Sequence, residues 1–191
     1  MAANYAQVLD KEGLLRVAAL KGQAWRCFGS PGMTDWLTDV TAFFCTDGPA
    51  ITISGIAEYL DFEGEEDTCS LLHVDDGAAD FDEAEEVGRL YFFYAGQRVI
   101  DVLIVRETIV ENRGGNATWR YVTDIGIVFK LSAGAIAVTK VSHHTELLSV
   151  IKADTLEELQ IDEPTKIWED KLGIEYTTSP DFSWSVGVAG C

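Results

Sequence analysis

Residues 27–88 contain no lysine and no arginine, although they hold 16 of the chain's 32 acidic residues, from Asp35 to Glu86. All 14 basic residues lie outside that window, with the other 16 acids. Of the net charge of −18, the window therefore carries −16 and the rest of the chain 14 − 16 = −2. Such a field disfavours direct contact with nucleic acid or anionic membrane and favours basic partners.

Other absences narrow the field further. No apolar run reaches the roughly 18–20 residues that a membrane-spanning helix needs. The first residues lack a basic stretch followed by a long apolar one, so no signal peptide is expected and the cytoplasm is the expected compartment. There is no GxSxG, no Walker A, no GxGxxG and no HExxH. Cys27, Cys45, Cys69 and Cys191 form no CxxC pair. Zinc-ribbon and thioredoxin-type chemistry both need close pairs; four cysteines would permit two disulfides, but without an export signal buried free thiols are expected.

What remains describes a globular chain of 191 residues, 47% hydrophobic and 24% charged, enough for one ordinary domain spanning 1–191. Residues 5–20 read as a helix, or a helix followed by a strand. Trp36, Leu37, Val40, Phe43 and Phe44 recur at one-face helical spacing and predict a helix after the turn at Gly29-Ser30-Pro31-Gly32. Residues 50–60 alternate as a strand, and 69–74 read as a shorter one. Asp80, three residues before Glu83, predicts a short helix carrying Phe81, Ala84 and Val87. Residues 89–94, 97–110, 119–131 and 135–142 read as four strands joined by short turns. In 119–131, Trp119, Tyr121, Thr123, Ile125, Ile127, Phe129 and Leu131 are expected on one face and Asp124, Gly126 and Val128 on the other. Residues 146–151 suit a strand or a helical turn, 163–172 a helix, and 174–178 a last short strand. The expected fold is α+β: an antiparallel meander of about five to seven strands with two or three helices packed at one side.

The acids form two sets within residues 58–86. Glu58, Asp61, Glu63, Glu65, Glu66 and Asp67 make the first, and Asp75, Asp76, Asp80, Asp82, Glu83, Glu85 and Glu86 the second. Neither is a calcium loop. Counting from Asp61, position 6 is Glu66 and position 12 is Leu72; counting from Asp75, positions 3 and 5 are Gly77 and Ala79. As one surface they would imitate a polyanion. At roughly one charge per 1.7 Å of duplex, sixteen charges correspond to about 27 Å, and a chain of this length has a radius of gyration of roughly 16 Å. Tyr59, Phe62 and Phe81 sit among the acids and would supply the desolvated anchors that charge alone lacks.

The chain has three histidines, His73, His143 and His144. On a strand His143 and His144 point to opposite faces and do not converge. Asp101, the one acid in residues 99–105, needs Arg98, Arg106 or a solvated edge to offset its burial.

The expectation is a non-enzymatic acidic protein, without metal or cofactor, that docks on a basic protein surface. A nucleic-acid-handling protein blocked by a polyanion decoy, or a neutralised toxin, is its sharpest form. Two alternatives are weighed beside it: a small metal-assisted hydrolase or transferase built from His73, His143, His144 and the acids, and a structural or assembly subunit.

Overall fold

The computed structural model describes residues 2–30, 40–77, 90–161 and 174–185, the last stretch by its backbone alone. In chain order the elements are β1 (Ala3–Gln7), α1 (Lys11–Ala19), β2 (Trp25–Gly29), β3 (Thr41–Thr46), β4 (Ala50–Phe62), β5 (Glu65–Asp76), β6 (Leu90–Tyr91), β7 (Val99–Arg113), β8 (Asn116–Leu131), β9 (Ala135–Lys140), β10 (Leu148–Ala153) and β11 (Ile174–Ser185). One sheet runs β5-β4-β3-β2-β6. The other runs β10-β9-β8-β7-β11, with β1 lying parallel on β8 through Trp119–Thr123.

This is a mainly β protein of two sheets, not an α+β fold with two or three helices: α1 is the one helix among the described residues. The helices expected over 80–87 and 163–172 lie outside those residues. The helix expected over 36–44 is overturned where it can be described, because 41–46 form strand β3. Both faces of β3 are buried. Ala42 and Phe44 join the main core, while Phe43 and Cys45 join a second cluster. A strand covered on both faces reads as a continuous apolar run and mimics a helical stripe. At the start of the chain the order is strand then helix, the reverse of the helix-then-strand expectation.

Turn chemistry sets the hairpins. Phe62 pairs with Glu65 across Glu63 (φ 57°) and Gly64 (φ 96°), the signature of a type I′ turn. Gly114 (φ 59°) and Gly115 (φ 79°) do the same between β7 and β8. The meander expected in the second half runs through β7, β8, β9 and β10. The residues expected as its first strand contribute β6, which joins the other sheet beside β2.

Helix α1 is capped by Asp10, whose carboxylate accepts from Gly13 N at 2.7 Å. Its Val17, with Leu9 and Leu20 at either end, packs into the main core. That core is filled from both sheets. Phe129 of β8 lies 5.0 Å from Phe44 and 5.5 Å from Trp25, ring to ring, and all three side chains are fully buried. The sheets are stitched at two corners. At one, Trp25 N donates to Gln97 O (2.7 Å) and Val99 N to Gln23 O (2.9 Å). At the other, Ser70 N donates to His143 O at 2.6 Å.

The alternation expected in β8 holds except at one place. Val105 pairs with Gly126 and Arg106 with Asp124, which leaves Ile125 as a bulge. Ile125 consequently joins Val105, Val128 and Ala137 in a separate cluster, and the neighbouring Asp124 is buried.

Candidate functional site

The acidic hairpin β4–β5 is long, and its ladder has no register shift. Side chains therefore alternate strictly. Ile53, Leu72 and Val74 enter the main core, whereas Leu60, Phe62 and Cys69, of opposite parity, pack with Ile109, Trp119 and Tyr121. The outer side of the distal half is left with Tyr59 and Asp61 facing Thr68 and Glu66.

The first acidic set is thus split between two faces. Glu58 accepts from Gln7 Nε2 at 2.8 Å, Glu65 approaches Arg113 at 3.8 Å, and Asp67 approaches His144 at 3.6 Å. Asp61 caps the turn by accepting from Gly64 N. Glu63 and Glu66 stand exposed at the tip. Phe62 is buried, in edge contact with Tyr5. Tyr59 is 81% exposed, more than any other large apolar side chain among the described residues.

Asp75 and Asp76 lie at the far end of β5, ten residues from Glu65, which is about 34 Å along a strand. Asp75 is paired with Arg16 (3.5 Å) and His73 (2.9 Å). Asp76 lines a cavity of about 470 Å³ with Arg16, Arg26, Cys45 and Thr46. Asp80, Phe81, Asp82, Glu83, Glu85 and Glu86 lie outside the described residues. The hairpin geometry therefore brings together Tyr59, Asp61, Glu63 and Glu66, and sets Asp75 and Asp76 apart from them.

No motif announced a second arrangement, a polar belt inside the protein. Glu107 Oε2 meets His143 Nε2 at 2.8 Å, and Lys140 Nζ donates to Ser70 O (2.6 Å) and Thr123 Oγ1 (3.0 Å). Tyr121 donates to Gln7 Oε1, which links the belt to Glu58. Cys69, Ser70, Glu107, Tyr121, Thr123, Lys140 and His143 are each 2% exposed or less. Burial pulls the Lys140 ammonium down to about 8, with Cys69, Glu107 and Asp124 opposing it. Burial also pushes the Cys69 thiol up to about 11. At neutral pH the lysine is therefore a cation and the cysteine a protonated thiol, which is a poor nucleophile. With no member open to solvent, the belt serves to fasten the two sheets together.

The histidines do not converge. His73 pairs with Asp75, His143 with Glu107, and His144 lies at Thr68 O and Asp67. Among the described residues no group of three or more His, Cys, Asp or Glu is placed to hold a metal ion. Asp101 is paired, though neither Arg98 nor Arg106 is its partner. Lys21 Nζ reaches it at 2.8 Å, while Arg98 binds Gly22 O and Arg106 binds Asp124.

No protein family, curated protein or solved structure matches this chain. Among the described residues no helix is long and apolar enough to cross a membrane.

The belt makes a prediction about pH. Burial holds the His143 imidazole below its ordinary value; Glu107 opposes this, and Lys140 and His144 add to it. An unfolded chain takes up that proton near pH 6.5, whereas the folded one takes it up only at lower pH. The contribution of His143 is then complete above pH 6.5 and is lost as the pH drops below it, by at most about 1.4 kcal/mol per unit. Urea midpoints between pH 7.5 and 5.5 read the slope, and His143→Gln should flatten it. An equal slope in that variant would assign the effect to other groups.

Proposed function

We propose that the protein is a non-enzymatic binding module whose β4–β5 hairpin tip docks on a basic protein surface. The observation that carries this reading is Tyr59, 81% exposed on the outer side of a strand whose opposite side is packed. A solvated hairpin has no need of an aromatic ring there. Asp61 and Glu66 share its side of the hairpin and Glu63 lies in the turn, so that side offers an aromatic ring together with carboxylates, which an arginine or lysine recognises. The hairpin is rigid enough to present it, since its register is unbroken and its inner face is anchored by Phe62 on Trp119 at 4.9 Å.

The patch is smaller than a polyanion decoy over the whole of residues 58–86 would use. Steering by the chain's overall charge of −18 supplies the encounter rate, and Tyr59 supplies the desolvated contact. Basic surfaces of nucleic-acid-handling proteins fit this chemistry best, and binding would act by occlusion.

Affinity capture from a native lysate tests it, with Tyr59→Ala and with Asp61→Asn, Glu63→Gln, Glu66→Gln combined. Both variants alter exposed positions, and Asp61→Asn keeps an oxygen that can accept from Gly64 N, so both should fold with stability within about 1 kcal/mol of the parent. A hot-spot tyrosine is worth about 2 kcal/mol, so Tyr59→Ala should weaken binding about thirtyfold. The wild-type complex should also weaken steeply as salt rises from about 0.01 M to about 0.15 M, where the screening length falls from about 30 Å to about 8 Å. Undiminished recovery of the same specific partner by both variants would refute the reading.

A further inference from the structure

Cys27 and Cys45 are direct partners in the antiparallel ladder of β2 and β3. Both point to the outer face of their sheet, where they cluster with Phe43, Ala50 and Leu90. Directly paired residues of such a ladder have Cα atoms about 4.5–5.5 Å apart, inside the roughly 4.4–6.8 Å that a disulfide spans. The two thiols already touch: the hydrogen bond to Cys27 is the largest influence on Cys45, and with burial it pushes the Cys45 thiol far up. Arg26 opposes that rise. Both residues are buried, Cys27 at 0% and Cys45 at 3% exposure, and Cys45 is among the residues that line the 470 Å³ cavity with Arg16, Arg26 and Thr46. Of the pair, Cys45 is the one beside the cavity and Cys27 lies behind it, so an opening of the cavity wall exposes Cys45 first, the order of an attacking and a resolving cysteine.

We propose that Cys27 and Cys45 form a reversible dithiol–disulfide couple, oxidised by a small disulfide of the glutathione class that enters through this cavity. The Cys45 thiolate attacks one sulfur of the small disulfide. That S–S bond breaks, a mixed disulfide forms on Cys45, and the departing thiolate takes up a proton equal to the one Cys45 lost. The Cys27 thiolate then attacks the Cys45 sulfur and expels the second small thiol. Two protein thiols have lost two electrons and two protons, and one small disulfide has become two thiols. The fraction oxidised follows the ratio of small disulfide to small thiol, and burial of the pair slows the approach to that balance.

The experiment treats the full chain with oxidised glutathione, alkylates remaining thiols in denaturant and maps the peptides by mass. Trypsin cannot separate the cysteines, because residues 27–88 have no cleavage site. A protease that cuts at Asp and Glu can, since Asp35 and Asp39 divide Cys27 from Cys45 and Asp47 divides Cys45 from Cys69. Expected is a Cys27 peptide linked to a Cys45 peptide, with alkylation of both lost and then restored by dithiothreitol, while Cys69 stays alkylated. Cys27→Ser should stop at the glutathione adduct on Cys45. Unchanged alkylation of Cys27 and Cys45, a lasting adduct on wild-type Cys45, or a link from either cysteine to Cys69 or Cys191 would overturn the proposal. The wild-type map decides even if the variant does not fold.

Discussion

Asp124→Ala is expected to destabilise the protein by about 3 kcal/mol, the lower end of the cost of breaking a buried ion pair from one side, because Arg106 is 25% exposed. The carboxylate is 1% exposed and takes Arg106 in two bonds, Nε at 2.7 Å and Nη2 at 3.1 Å. It also accepts from Leu9 N at 2.8 Å, just before the cap of α1. A single side chain at a bulge in β8 therefore neutralises an arginine and fixes the link between β1 and the helix. Alanine leaves a guanidinium and an amide without their acceptor, and the loss of such acceptors is the expensive event. Urea unfolding followed by tryptophan fluorescence measures it. The double variant Asp124→Leu with Arg106→Met should recover much of the loss, because it removes the charges together. A loss below about 1 kcal/mol for Asp124→Ala would place the pair among solvated surface pairs instead.

Gly55→Ala should cost about 3 kcal/mol, at the upper end of the range for over-packing, although it adds only a methyl group. A β-carbon at this position would lie 2.0 Å from the carbonyl oxygen of Glu146 and 2.7 Å from its carbonyl carbon. Both obstacles are backbone and cannot rotate aside. They belong to the connection between β9 and β10, which supplies the Ser142 and His143 carbonyls to Ser70 and the Glu146 carboxylate to Ala57 N. Pushing that connection outward loosens one of the two corners that join the sheets. Gly48→Ala is the control: its nearest obstacle is the flexible end of Gln23 at 3.0 Å, so the unfolding midpoint should barely move. Equal shifts in the two variants would mean that the connection yields freely.

Parts of this architecture were readable from residue order and parts were not, and the division follows the range of the forces. The β7–β8 hairpin was legible because Gly114-Gly115 permits a tight turn and the flanking alternation is two-periodic. The bulge at Ile125 was not, since local composition does not say where one strand gains a residue over its neighbour. The sequence of β3 carries a helical spacing because burial on both faces erases the alternation that marks a strand. Residues 50–60 and 69–74 alone carry a strand signal, and 61–68, which close the β4–β5 hairpin, do not, because a charged turn at Glu63-Gly64 is a weaker hairpin signal than Asn-Gly. The inner belt gave almost no local signal, since its members come from β1, β5, β7, β8 and β9 and the segment that follows β9. Its one local trace is the Arg106-Glu107-Thr108 triplet, which interrupts the otherwise largely apolar stretch 99–110.

The order of residues by itself determined the charge asymmetry, the tight turns and the long two-periodic strands, because each depends on composition or on neighbours a few positions away. Tertiary structure alone decided that Asp101 meets Lys21, that Asp124 meets Arg106, that Cys27 faces Cys45, and that ten residues of strand separate Glu65 from Asp75. Those outcomes depend on which strands lie side by side and in what register. Register is chosen by burying the whole set of apolar faces at once, a collective quantity that no short stretch of chain encodes.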